Sequence, residues 1–414
     1  MRNLSFGIVR GKVDIFRCLS FLYSFLLTVT FLVSSLHAGQ GGVDKSPFMR
    51  SNPQSEIRNL SCEPSDPYFS KKLGVHRSQR QKMSERVNER KVSYLQGSCD
   101  IALDWQMEIK GGYRSGARSV QQTTDGGYIM TGNEYWNYGQ VVYLYKTDAS
   151  GNRRWKRTFG TKKYNVGYSV QQTTDGGYVI VGTTDDDSSY WNNGDVYLIK
   201  TDALGNKQWE RTFNRKTYKH GFTTHDGGHS VQQTIDGGYI IAGNSSTVTH
   251  EDTGLGTIYG TVYLIKTDAL GNKEWEKVFG GVETKTWDEG RSVQQTKDGG
   301  YIVAGMKNSS YNEGKGSFDV YLIKTDSLGN KQWENTYGGD VSDEIGMSGQ
   351  QTTDGGYIVT GHSYSKGIYL VKTSASGAEL WEKTFAGEGV AWGNSIQQTK
   401  DGGYIIGGGR AQIV

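Results

Sequence analysis

SVQQTTDGGYIMTG, residues 119–132, decides the fold because the chain writes it six times, starting at Ser119, Ser169, Ser230, Ser292, Ser348 and Ser395. The copies start 50, 61, 62, 56 and 47 residues apart. A module recurring every roughly 40–60 residues marks an array of small units, each burying its apolar face against the next. Each copy is a hairpin by its chemistry. Gln-Gln-Thr and Tyr-Ile-Val tolerate a pleated backbone, and Asp-Gly-Gly between them supplies residues that accept a tight turn.

A second hairpin follows in five of the six units: VYLYKTDASGNRRW (142–155), VYLIKTDALGNKQW (196–209), VYLIKTDALGNKEW (262–275), VYLIKTDSLGNKQW (320–333) and IYLVKTSASGAELW (368–381). Four short strands per unit, and no sustained 3.6-residue apolar period, predict all-β structure. Four-stranded sheets repeated radially make a β-propeller. With strands named A (SVQQT), B (GYIVAG), C (VYLIK) and D (KQWERTF), the A–B and C–D turns share one end of every blade and scarcely vary. The B–C and D–A loops share the other end and differ in length and content, so function is expected there.

The C–D hairpin resembles the tryptophan motif of quinoprotein (PQQ-type) propellers, carried here by Asp202, Gly205 and Trp209, with one residue fewer between Asp and Gly. The whole unit resembles the DGGYI(V/I)xxG repeats of secreted bacterial and archaeal propeller-like proteins, over about residues 100–414. Both resemblances imply a propeller; the second implies no assigned activity. A PQQ enzyme would need a calcium-bearing cofactor pocket and commonly a vicinal disulfide, whereas no cysteine follows Cys99. The motif of Asp-box glycosidases also differs, since it sets Gly two and Trp five residues after Asp. Here the offsets are three and seven.

The expected architecture is an all-β, six-bladed propeller of four-stranded blades over residues 92–414. Its sixth copy supplies only strands A and B before Val414. The N-terminal side offers the missing pair. Trp105 to Glu108 reads as a D strand, and Val92 precedes Trp105 by thirteen residues, as Val196 precedes Trp209. Ile101 stands where the other turns carry Gly, which leaves closure by strand D alone as an alternative, and a truncated longer array as another.

Residues 1–38 read as a signal peptide, or an uncleaved N-terminal anchor: Arg2, Arg10, Lys12 and Arg17 precede an apolar run from Cys18 to Leu36, and Ala38 offers a cleavage position. Either reading places the chain outside the cytoplasm, secreted or at the cell surface. Residues 39–91 form a flexible basic linker with few large apolar groups. Cys62 and Cys99 remain after cleavage, an even pair that predicts a disulfide contributing about 3–4 kcal/mol, or else two free thiols. The first 38 residues carry net +3 and residues 71–91 net +6, so subtraction from the total of +3 leaves the rest near −6. A mildly acidic folded part gives nucleic acid no footing.

No catalytic residues, no cofactor and a monomer are expected. Asp185, Asp186 and Asp187 with Asn192, Asn193 and Asp195 could give oxygen ligands to a hard cation such as calcium, but without a fixed ligand spacing. His220, His225, Asp226 and His229 crowd into YKHGFTTHDGGH, which reads as a partial copy of TTDGGY in an ordinary loop and not as a metal site. The variable end carries aromatics beside amides and carboxylates, and Tyr113, Trp136, Tyr164, Trp191, Trp287 and Trp392 are the candidate ligand-binding residues. Such side chains suit a polysaccharide or a cell-surface protein, and they equally suit packing at blade seams. The rival reading is a secreted glycoside hydrolase or lyase using Asp288, Glu289, Asp343, Glu344 or Glu388. Trp155, Trp209, Trp275, Trp333 and Trp381 share one register and read as packing. The glutamine pairs, pointing to opposite sides of strand A, offer each blade an amide toward both neighbours and read as assembly contacts.

Overall fold

The computed structural model describes residues 5–8, 105–108, 115–136, 139–160, 164–185, 194–215, 223–249, 257–280, 287–308, 318–338, 342–385 and 390–411. Among them every regular element is a β-strand. Two short strands, β1 (Ser5–Ile8) and β2 (Trp105–Glu108), pair with each other. The first blade comprises β3 (Gly116–Gln122), β4 (Tyr128–Trp136), β5 (Gly139–Thr147) and β6 (Arg153–Phe159); the second comprises β7 (Tyr164–Gln172), β8 (Tyr178–Asp185), β9 (Asp195–Thr201) and β10 (Lys207–Phe213). The third runs β11 (Thr223–Gln233), β12 (Tyr239–Thr249), β13 (Thr257–Thr267), β14 (Lys273–Phe279), and the fourth β15 (Glu289–Gln295), β16 (Tyr301–Asn308), β17 (Phe318–Thr325), β18 (Lys331–Tyr337). The fifth holds β19 (Glu344–Gln351), β20 (Tyr357–Ser363), β21 (Gly367–Thr373) and β22 (Glu379–Phe385), and the sixth copy is the hairpin β23 (Val390–Gln398) and β24 (Tyr404–Ala411).

Within each of the five full blades neighbouring strands are antiparallel in chain order. A single parallel bridge, Gln140 to Tyr164, joins the first blade's sheet to the second's. The A-to-D strand assignment made from sequence therefore holds in a repeated-blade, propeller-like fold. Strands B and C are buried almost throughout, as VYLIK and its kin require when both sheet faces are covered by neighbouring blades. Strand D is half-exposed along its length, with an exposed-to-buried pattern ending at Phe159, Phe213, Phe279 or Tyr337.

Two expectations need correction. The Trp105 strand was expected to join the 395–408 hairpin, but β2 pairs β1 and β23 pairs β24 in separate two-stranded sheets, and no closed sheet is seen among the described residues. The C–D turns that do close carry Gly at positive φ, as Gly205 does at +77°. Ile101 in the corresponding place would pay the steric cost that Gly avoids. The HDGG of residues 225–228 is likewise no turn: it lies inside β11, with Asp226 opposite Ser245 and Gly227 opposite Asn244. The signal segment, the basic linker, Cys62 and Cys99 lie outside the described residues.

The repeat explains its own spelling. Apart from the bridge at Tyr164, strand A is the edge of its blade's sheet, so every second N–H has no ladder partner. In β7 those donors are Val170 and Gln172. They are met by side chains two apart on the preceding blade: Ser119 Oγ accepts from Val170 N at 3.3 Å and Gln121 Oε1 from Gln172 N at 2.6 Å. The same pair of bonds recurs at the next four junctions, with Gln171, Gln232, Gln294 and Gln350 accepting from the following blade. The second glutamine reaches backward, Gln172 Oε1 accepting from Thr124 N at 2.8 Å in the preceding A–B turn. The assembly reading of the glutamine pairs is thus what the structure shows.

The turns are locked just as regularly. Asp125 accepts from Gly127 N at 3.0 Å and pairs with Lys146 Nζ at 2.8 Å, burying an otherwise costly ammonium of strand C. Burial works against the Asp125 carboxylate, but Lys146, Thr123 and the Gly127 N–H prevail and hold it at about 2. Along the outer seam, the Trp of one strand D packs edge-on against the DGGY tyrosine of the next blade: Trp155 on Tyr178, Trp209 on Tyr239, Trp275 on Tyr301, Trp333 on Tyr357 and Trp381 on Tyr404, with centroids 5.6–6.3 Å apart.

Candidate functional site

Each strand A carries a β-bulge one residue before its serine. In β3 the ladder passes from Ala117 opposite Gly132 to Ser119 opposite Thr131, leaving Arg118 without a cross-strand partner. The same shift skips Tyr168, His229, Arg291, Met347 and Asn394. A bulge re-aims the extra side chain, and a glycine or alanine beside it gives the kinked strand room. All six lie on the strand-start side of the serine and glutamines, toward the end that the variable D–A and B–C loops share.

Four of the blades join these positions into one strip, and the fifth adds His362 and Tyr364 beside it. The Arg118 guanidinium sits 4.8 Å over the Tyr168 ring, and Tyr168 meets His229 edge-on at 5.0 Å. His229 Nε2 lies 2.8 Å from Glu289 Oε1 and 2.9 Å from Asn244 Oδ1. Glu289 Oε2 takes Arg291 Nη2 at 2.9 Å, and the Trp287 indole N–H also donates to this carboxylate. Burial alone would raise Glu289; the His229 and Arg291 charges beside it win and hold it at about 2. Burial and the Arg291 charge push His362 below the ordinary imidazole value, with Asp343 opposing, and His362 meets Tyr364 edge-on at 5.1 Å.

One layer behind, buried polar side chains four residues before the serines fasten strand A to the preceding blade or to strand B of its own. Asn165 donates to Gln140 O at 3.1 Å, Asp226 accepts from Arg215 N at 2.6 Å, and Ser363 donates to Glu344 at 2.9 Å within the fifth blade. Asp288 N reaches Gly260 O at 2.9 Å, while its carboxylate accepts from Asn308 N at 3.0 Å. Desolvation raises Asp226 to about 6 despite bonds from Ser245 and Arg215.

The candidate residues read from sequence fall into three groups. Tyr113, Trp191 and Glu388 lie outside the described residues, as do Asp186, Asp187, Asn192, Asn193 and His220; of Trp136 only the backbone is described, opposite Gly139. Tyr164 is 44% exposed beside the strip. Trp287 and Trp392 are half-buried, Trp287 against Gly260 and Trp392 against Gly409. Of the candidate acids, Asp288 and Glu344 are buried in the fastening layer, Asp343 accepts from Phe318 N at 3.0 Å, and Glu289 sits within the strip. Arg118, Tyr168, His229 and Arg291 were not singled out as a set. Their signal was present: five of six copies read Gly-x-Ser, and an isolated glycine within a strand marks a bulge.

No protein-family model and no curated protein sequence matches the chain. Among solved structures it is similar to a protein of unknown function from Bacteroides caccae, at 10% identity and TM-score 0.40, covering 69% of this chain and 86% of that one. It is also similar to a protein of unknown function from Dyadobacter fermentans, at 12% identity and TM-score 0.44, covering 68% and 86%. A Penicillium chrysogenum alpha-L-arabinanase complexed with arabinobiose matches at 13% identity and TM-score 0.48, covering 71% and 88%.

Proposed function

We propose that the chain is an exported, six-bladed, non-catalytic propeller that binds saccharide on its bulged strand ends. The observation that carries this reading is the strip from Arg118 to Tyr364, which sets aromatic rings, guanidinium donors, an amide and a carboxylate side by side at the variable end of five blades. Planar polar groups beside rings suit hydroxyl recognition and stacking on sugar. The glutamine ladder supports the ring: Gln397 of the sixth copy stands where its counterparts reach forward, and Gln122 of the first copy offers the corresponding N–H.

The chemistry of the acids favours binding over hydrolysis. Glu289 is held ionised well below neutral pH and so cannot serve as the general acid, while Asp288 and Glu344 are buried and committed to structural bonds. A protein partner is the second reading, favoured by Leu204, Leu270 and Leu328, which are 62–64% exposed in the same C–D turn position of three consecutive blades. A glycan array probed with the exported chain, followed by product analysis of every bound glycan, tests the proposal. Binding without cleavage supports it; chain shortening of a bound glycan, or no glycan bound, overturns it.

A further inference from the structure

We infer that the saccharide is an acidic one, a polymer of uronate sugars whose carboxylates are taken by Arg118 and Arg291. The inference rests on the saccharide-binding reading above and adds the ligand's charge and repeat. Two like subsites lie along the strip. In each, the bulged arginine of one blade stands beside tyrosine of the next: Arg118 in the first blade with Tyr164 and Tyr168 in the second, Arg291 in the fourth with His362 and Tyr364 in the fifth.

The donors in these subsites outnumber their acceptors. Arg118 Nε and Arg291 Nε are buried donors with no hydrogen-bond partner. Arginine has no acceptor to offer and cannot lose its proton, so an unmet guanidinium N–H is answered only by an oxygen from elsewhere. Glu289 already serves Arg291 through Nη2 and leaves Nε free; among the described residues no carboxylate pairs with Arg118. A planar carboxylate matches the guanidinium fork.

The tyrosines supply what a bare anion would not use. Tyr164 is 44% and Tyr364 61% exposed, large rings left open, Tyr164 near Arg118 and Tyr364 against His362, which Arg291 neighbours. A pyranose ring carrying a carboxylate fills both needs at once, with its apolar face on tyrosine and its acid on arginine. Two such subsites on one continuous strip suit a repeating polymer.

The test is affinity electrophoresis and calorimetry of the full chain with polygalacturonate, a neutral galactan, dextran sulfate, inorganic phosphate and poly-glutamate. Polygalacturonate should bind and galactan should not. Arg118→Gln and Arg291→Gln should each weaken binding about tenfold or more. Arg118→Lys, which keeps the charge and spares the fold, should weaken it less. Tyr164→Ala with Tyr364→Ala should weaken polygalacturonate and leave dextran sulfate unaffected. Equal binding of galactan, unmoved by the arginine changes, overturns the acidic ligand while leaving saccharide binding intact. Dextran sulfate or phosphate competing equally, with no effect of the tyrosine changes, makes this a simple charge site and overturns the inference. Tighter binding of poly-glutamate overturns it in favour of a protein ligand, and binding of no polymer overturns both readings.

Discussion

Gln171→Ala isolates the contact that the repeat is written to make. Gln171 Oε1 accepts from the backbone N–H of Gln233 at 2.6 Å, across the junction of the second and third blades. Gln233 lies on the edge strand β11, so this N–H has no ladder partner to fall back on. Leaving a part-buried donor unmet costs about 1–3 kcal/mol. At about 2–4 °C per kcal/mol for a domain of this order of size, the melting temperature should fall by about 2–12 °C. Gln171→Glu keeps an oxygen in the accepting position and should cost less than half as much at neutral pH. Gln172→Glu should cost more than Gln171→Glu, because it turns the Gln172 Nε2 donation to Gly176 O, at 3.5 Å, into a clash of two acceptors. Urea denaturation followed by tryptophan fluorescence reads all three, since Trp155 and Trp209 report on the adjoining seams. A neutral Gln171→Ala, or a Gln171→Glu as costly as the alanine, would refute the edge-capping argument.

Other outcomes follow from the same geometry. Gln397→Ala should cost as much as Gln171→Ala if the sixth copy closes onto the first, and calorimetric neutrality would exclude that closure. Asp226, raised to about 6 against an unfolded value of 3.8, favours its protonated form in the fold, so its contribution is present below about pH 4 and lost as pH rises through about 6. Asp226→Asn should therefore gain stability relative to the parent at pH 8 and gain none at pH 4, and equal effects at both pH values would count against the buried carboxylate. Asp125, Asp298 and Asp354, exposed carboxylates each lowered to about 2 against partial desolvation through bonds including those to Lys146, Lys324 and Lys372, contribute above about pH 4 and lose that contribution as pH falls toward 2. Changing all three to Asn should flatten the acid limb of a stability-against-pH curve. Trp209→Ala should cost about 2–3 kcal/mol, less than a fully buried Trp because the ring is only half covered, and loss of its Tyr239 contact should be the main term. Peptide mapping of the exported chain under non-reducing conditions should find Cys62 joined to Cys99, with recovery of both as alkylated thiols the contrary result.

The blade was legible because its information is local and repeated: Ser119 and Gln121 stand two apart, as alternate edge donors require, and every copy preserves the pair. The turn chemistry of Asp125 and Asp202 was legible for the same reason, since a side chain bonding its own turn needs no distant partner. The strip was not. Its members Arg118, Tyr168, His229 and Arg291 occupy one register but share no chemistry, and what unites them is a ladder shift visible only once β3 is laid against β4. HDGG misled because Asp-Gly-Gly is a turn only where the chain reverses; Asp226 instead pairs straight along β12. Trp287 drew notice as a loop aromatic, yet its weight lies in orienting Glu289 and in covering Gly260.

Hydrogen–deuterium exchange with and without bound glycan tests the central claim most directly. The account predicts protection at the segments that lead into the bulges, residues 115–119, 164–169, 225–230 and 287–292, with the A–B and C–D turns unchanged. Protection concentrated at the turns that hold Leu204, Leu270 and Leu328, with the bulge segments unaffected, would contradict it.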